Sequence, residues 1–215
     1  MSGSFNNTGS AAATEARGIG RASAGTIGMW VFLATDAMGF GGLLLAYAVL
    51  RARAGTWPDP SVRFDRSLAA GLTFVLLFSG ATMTATLVAA REGKRRTARL
   101  LLALTVLAGL AFVAGQAAEF HALAQARHVG LTADHAAALF YVITGYHGLH
   151  VLVGVLVLAL VGLRHLGGRA SAGAPAAVDH LGLGALGVAS LFWQFVDVVW
   201  IVIFTILYLL PVARG

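Results

Sequence analysis

Residues Phe140 to Val157 read FYVITGYHGLHVLVGVLV, an apolar run with two histidines, His147 and His150, in its middle. Extended to its natural limits, Ala136 to Leu163, the run is longer than the ~20 residues a helix needs to cross a ~30 Å hydrocarbon core. Four more stretches share that character: Ile27 to Leu50, Leu68 to Ala90, Leu100 to Leu123 and Leu183 to Leu210. All five contain Gly and Ala among bulkier side chains, as membrane helices do where backbones approach closely. The ~10-residue alternating segments of a β-barrel are not found. The pattern predicts an all-α fold, an integral membrane bundle of five transmembrane helices.

Composition agrees. Of 215 residues, 58% are apolar and 11% charged, with a mean hydropathy of +0.81, whereas soluble domains are about one-quarter charged. The absence of cysteine excludes disulfides and thiolate metal ligands. Residues 1–26 are rich in Ser, Gly, Ala, Asn and Thr and lack a short apolar core with a cleavage site, so they are expected to form a flexible tail and not a signal peptide. Residues 27–210 form the bundle and 211–215 a short C-terminal tail.

Trp57-Pro58-Asp59-Pro60 cannot continue a helix and marks the first loop. Arg91 to Arg99 is a tight basic turn, and Gly167 to Pro175 a Gly, Ala and Ser linker. Nine of the 15 Lys and Arg fall in the N-terminal tail and the second and fourth connections. The positive-inside rule therefore favours a cytoplasmic N-terminus and an external C-terminus. The net charge of +6 is accounted for by basic loops at anionic headgroups, with no nucleic acid needed.

Ionisable side chains inside a span cost ~2.5–3.5 kcal/mol each at the centre, so each requires a reason. They are Asp36 in the first span; Glu119, beside Gln116, in the third, with His121 near its external end; His147 and His150 in the fourth; and Asp197, with Gln194, in the fifth. Spacing of three puts Gln116 and Glu119 on one face and His147 and His150 on another. Because the third and fourth helices are antiparallel neighbours, a hydrogen bond between Glu119 and one of these histidines is expected. Trp193, Asp197 and Trp200 share a face of the fifth helix at i, i+4 and i+7. Trp30, Trp57 and Tyr208 read as interfacial anchors.

The histidines admit several uses. Bis-histidine haem ligation needs ligands from opposite sides of the porphyrin, and these two project from one side of a helix. A metal site of two histidines with Glu119 is chemically possible, but only one carboxylate is near. A proton relay through Asp36, Glu119 and Asp197 is a third use. Physics alone favours structural polar contacts, each worth ~0.6–2 kcal/mol.

The stretches GMWVFLATD (28–36), GQAAE (115–119), FYVITGYHGLHV (140–151) and WQFVDVVW (193–200) resemble subunit III of haem-copper respiratory oxidases, in that family's order. The resemblance spans about residues 27 to 210 and fits the five-helix bacterial form. It implies an accessory subunit with no catalytic residue, haem, copper or other metal of its own. Such a subunit sits in the bacterial inner membrane, packs against catalytic subunit I and other oxidase subunits, holds phospholipid in a cleft, and supports oxygen delivery and proton uptake. Haem and copper belong to the partner.

Asp36 falls where the family usually has a glutamate. Gln116, Glu119, His147, His150, Asp197 and Trp200 match its pattern. Gly187 replaces a usual glutamate, and Gln194 the histidine usual before Phe-Val-Asp. Those departures keep open an accessory subunit of a nitric oxide reductase. A stand-alone membrane metal or haem protein and a small proton transporter are the alternatives of another class.

Overall fold

The computed structural model describes residues 7–54, 57–58, 65–126, 133–166 and 176–210. Among these there is no strand, and five helices are long and apolar enough to cross a membrane. They are α1 (Asn7–Arg53), α2 (Arg66–Arg91), α3 (Arg95–Ala126), α4 (His135–Val161, continued by a wider π turn, Gly162–Leu166) and α5 (Ala176–Phe204, continued by a π turn, Thr205–Leu209).

Helix α1 begins at Asn7, so its 47 residues far exceed the length a bilayer requires. Its apolar part is Ala24–Arg53. The Gly167 to Pro175 linker, the 211–215 tail and residues 59–60 of the first loop lie outside the described residues.

Local chemistry sets the helix ends. Asp65 caps α2, its carboxylate accepting from the amides of Ser67 and Leu68 at 3.0 Å. Asp134 caps α4 through the Ala137 amide at 2.8 Å. Both occupy the N-cap position, where a short acidic side chain satisfies an orphan amide. Gly93, with φ +74°, ends α2 in a left-handed residue, and the amides of Gly93 and Lys94 return to the carbonyls of Ala90 and Ala89. This is the double bond of a Schellman turn.

α2 and α3 form the most extensive pair, and α5 packs on α1, α2 and α4. Thr82 and Thr105 share a 2.8 Å hydroxyl bond across the α2–α3 seam. Trp193 on α5 sits in a slot made by two glycines. A Cβ on Gly109 of α3 would lie 2.6 Å from the Trp193 ring, and one on Gly154 of α4 would lie 2.9 Å from it. The ring is fully buried, and its indole N–H donates to Ser79 Oγ at 3.1 Å. Association without a hydrophobic drive rests on such close packing.

α1 packs chiefly on α5 and α4, through a narrow stripe of Leu33, Asp36, Phe40 and Tyr47. Its remaining surface carries exposed Trp30, Val31, Phe32, Met38 and Leu45, as a lipid-facing helix does. At the end away from the α2–α3 turn, Arg51 donates to the Leu210 carbonyl at 3.1 Å, tying α1 to α5.

Candidate functional site

The polar side chains of the spans collect into separate groups within the bundle. On α1, Asp36 is 8% exposed. Its Oδ1 accepts from the Tyr146 hydroxyl at 3.0 Å and lies 3.1 Å from His150 Nε2. His150 Nδ1 lies 2.8 Å from the Tyr146 carbonyl, which only accepts, so this nitrogen carries a hydrogen. The contact between Nε2 and Oδ1 then needs one proton between the two atoms, since two lone pairs would repel. Phe40 covers the group, its ring 5.2 Å from His150 and 4.8 Å from Tyr146.

His147 is fully buried and surrounded by rings. Trp200 stacks on it with centroids 5.1 Å apart, and Phe112 meets it edge-on at 5.6 Å. Neither ring nitrogen has a hydrogen-bond partner among the described residues. An imidazole can therefore be accommodated there for its shape while its nitrogens stay unused, at the ~1–3 kcal/mol cost of an unmade buried bond.

The expected bond from Glu119 to a histidine is not formed. Both His150 nitrogens are engaged by α1 and its own helix, and those of His147 by none of the described residues. Glu119 instead accepts from the Tyr208 hydroxyl at 2.8 Å. Tyr208 is fully buried, and this corrects its reading as an interfacial anchor. The physical reason is the π turn Thr205–Leu209, which carries Tyr208 into the bundle opposite the last turns of α3. Of the expected α3–α4 polar seam one contact remains: Gln116 Nε2 donates to the Thr144 carbonyl at 3.1 Å. Close approach to Gly148 permits it, because a Cβ there would lie 2.8 Å from Gln116 Oε1.

The Trp193, Asp197 and Trp200 face of α5 is buried, as the spacing predicts. Trp200 donates to Thr73 Oγ1 at 2.9 Å. Gln194 Nε2 donates to the Gly80 carbonyl and to Thr84 Oγ1 at 3.0 and 2.9 Å, which gives the amide at this position a structural use between α5 and α2. A Cβ on Gly187 would meet nothing within 4 Å. Asp197 is 5% exposed and packs against Gly80, whose Cβ would lie 2.5 Å from Oδ2. Neither carboxyl oxygen has a partner among the described residues.

Sequence spacing missed Tyr146, Tyr208, Ser79, Thr73 and Thr84 as the partners of these groups. A signal was present for part of the set: Thr73, Gly80 and Thr84 share one face of α2 at i, i+7 and i+11. Among the described residues, no group of three or more His, Asp and Glu side chains is arranged to hold a metal ion. The groups present can fix helices to one another and retain a proton between Asp36 and His150, while Asp197 and His147 stay enclosed without a partner among the described residues.

Comparison with known proteins supplies the context. The family described as cytochrome c oxidase subunit III matches residues 18–212. Cytochrome c oxidase subunit 3 of Thermostichus vulcanus is 33% identical over 185 residues, covering 86% of each chain. Its counterpart in Synechocystis is 34% identical over 184 residues, 85% of this chain and 74% of that one. Subunit 3 of the cytochrome bo(3) ubiquinol oxidase of Pseudomonas putida is 33% identical over 186 residues, again 86% of each. The likeness read from the four motifs thus extends over all five spans, and the chain belongs to the cytochrome c oxidase subunit III family.

Proposed function

We infer that this chain is a non-redox accessory subunit of a haem-copper terminal oxidase. The observation that carries this reading is the family match across residues 18–212, which takes in every span. Its relatives include subunits of enzymes named for cytochrome c and for ubiquinol, so the electron donor is a property of the partner subunits. Those subunits carry the haem and copper of the complex. This chain packs on the catalytic subunit I in a bacterial inner membrane, with its N-terminus cytoplasmic and its C-terminus external.

The buried polar groups suit a supporting role. Asp36, Tyr146 and His150 lock α1, the most loosely packed helix, onto α4. Glu119 with Tyr208, and Gln194 with Thr84, lock α5 onto α3 and α2. Asp197 and His147, each enclosed without a protein partner among the described residues, serve by shape, Asp197 against Gly80 of α2 and His147 against Trp200 of α5. In this reading oxygen delivery and proton uptake by the partner depend on the shape and lipid content of the complex, not on a reaction here.

The test is purification of the complex through a tag on this chain. A larger subunit with haem and copper spectra should accompany it, and deletion of the chain should shorten turnover lifetime more than it lowers initial rate. Co-purification with a haem and non-haem iron subunit would assign it to the nitric oxide reductase branch. Unchanged assembly, lipid content and turnover lifetime in both Glu119→Gln and His147→Phe would refute the role given to the polar groups.

A further inference from the structure

Gln194 stands half-buried near the middle of the apolar stretch Gly182–Leu209 of α5, about 18 Å from its start and about 22 Å from its end at the rise of an α-helix. Both hydrogens of its Nε2 are spent, one on the Gly80 carbonyl and one on Thr84 Oγ1. Its Oε1 accepts nothing from the described residues and, unlike the carboxyl oxygens of Asp197, is not sealed inside the bundle. An amide oxygen is thus open to the outside at a depth where hydrocarbon offers it no donor.

The surface around it follows a helix-pairing pattern. Leu191, Gln194, Val198 and Ile201 fall on one outward side of α5, at i, i+3, i+7 and i+10, with Val198 58% and Ile201 39% exposed. Beside them on α2, Leu77 and Thr84, also seven apart, face outward. Apolar side chains at heptad spacing around a single polar residue make the seam of a helix pair, in which the polar residue fixes the register.

The inventory of donors selects the occupant. Acyl chains carry none, and headgroup donors lie about 15 Å away at the membrane surface. A second copy of this chain across a two-fold axis would bring Gln194 and Thr84 against themselves. The amide hydrogens of that copy are already used, and its Thr84 hydroxyl donates to the Gly80 carbonyl at 3.0 Å, so neither could serve the oxygen. A different transmembrane helix with a donating side chain at mid-bilayer can, and such interhelical bonds join membrane helices.

We propose that the outward α2–α5 face, with Gln194 Oε1 at its centre, docks a transmembrane helix of another subunit that presents a hydroxyl, amide or indole donor at the same depth. That this helix comes from the oxidase complex rests on the accessory-subunit reading above; the docking face itself does not.

The experiment places a cysteine at Val198, the only thiol in a chain that has none of its own, and attaches a short photoreactive group to it. Native membranes are irradiated, and the complex is then purified through a tag on this chain. The adduct should form with one transmembrane segment of another subunit, with a Ser, Thr, Asn, Gln, Tyr or Trp within one turn of the modified residue. Gln194→Leu should speed loss of this chain from the complex in detergent about 3- to 20-fold, the worth of one interhelical bond. Replacing the partner's donor by Leu should give a similar rate, with no further loss when the two are combined. Because Gln194→Leu also gives up its bonds to α2, Val198→Trp, at an exposed site, is the second variant; it should release the chain from the complex while the isolated chain melts as wild type.

Adducts with lipid only, or with a second copy of this chain, from a complex that still holds its oxidase subunits would overturn the proposal and leave the accessory-subunit reading standing. So would a lifetime of the complex unchanged in both Gln194→Leu and Val198→Trp. Absence of any oxidase subunit beside the tagged chain would overturn the accessory-subunit reading instead, and the Val198 adduct alone would then decide the docking face.

Discussion

Replacing Gly154 by Ala places a methyl group 2.9 and 3.0 Å from two carbons of Trp193 and 3.2 Å from Phe192. Carbon atoms in contact prefer ~3.5–4.0 Å, so the overlap is about half an ångström or more. Trp193 cannot swing away without leaving Ser79, and Gly109 closes the slot on its other edge. Overpacking of this kind costs about 1–3 kcal/mol, which for a chain of this length is a fall in Tm of roughly 2–12 °C. Thermal unfolding of the purified protein in detergent reads it directly. Gly109→Ala should cost at least as much, since its Cβ would meet Trp193 and Val155 at 2.6 Å. Trp193→Phe trims the ring and should make Gly154→Ala less costly, giving a coupling of about 1 kcal/mol or more. Additivity within about 0.5 kcal/mol in that cycle would show that the glycine slot does not hold the tryptophan.

Tyr208→Phe removes the hydroxyl bond to Glu119 and should destabilise the bundle by about 1–2 kcal/mol; a variant as stable as wild type in the same melt would show that bond to be idle. Gly93→Ala imposes a Cβ on a residue with φ +74° and should cost about 1 kcal/mol, although nothing crowds the site; an alanine that stabilised the turn would contradict this. Asp197→Asn should leave the isolated chain within about 0.5 kcal/mol of wild type in the same melt, because no bond within the described residues is lost; a larger loss would place its partner inside the chain. The Lys94 ammonium titrates above the ordinary lysine range because Glu92 accepts its hydrogen bond and supplies a negative charge. Glu92→Gln should therefore bring its titration down towards the ordinary value, measured by carbon NMR of the lysine Cε, and no change would exclude Glu92 as the cause.

The five spans were legible because a bilayer demands length and hydropathy, which are local properties. The N-terminal extension of α1 was not, since residues 7–23 are polar and carry no span signal. Spacing correctly put His147 and His150 on the inner side of α4. It misassigned their neighbours because two positions three apart still differ by about 60° around a helix of 3.6 residues per turn. In the crowded middle of the bundle that angle separates α1, which meets His150 through Asp36, from α5 and α3, which meet His147 through Trp200 and Phe112. Sequence order also names α3 and α4 as neighbours more readily than α3 and the end of α5. The Glu119–Tyr208 bond depends on a π turn, and no local pattern announced it. The family motifs pointed to polar residues within the spans without revealing which touched which.

The packing of α1 has a consequence for the order of assembly. It is synthesised before α2 to α5, yet its chief partners are α4 and α5, and both groups that bond to Asp36 belong to α4. At ~5–20 residues per second, several seconds pass before α4 emerges, during which Asp36 stands in the membrane without them. A nascent chain halted after α3 would thus display an unpartnered acid in α1. Membrane quality control could recognise that mark of an unfinished subunit, and completion of α4 would erase it.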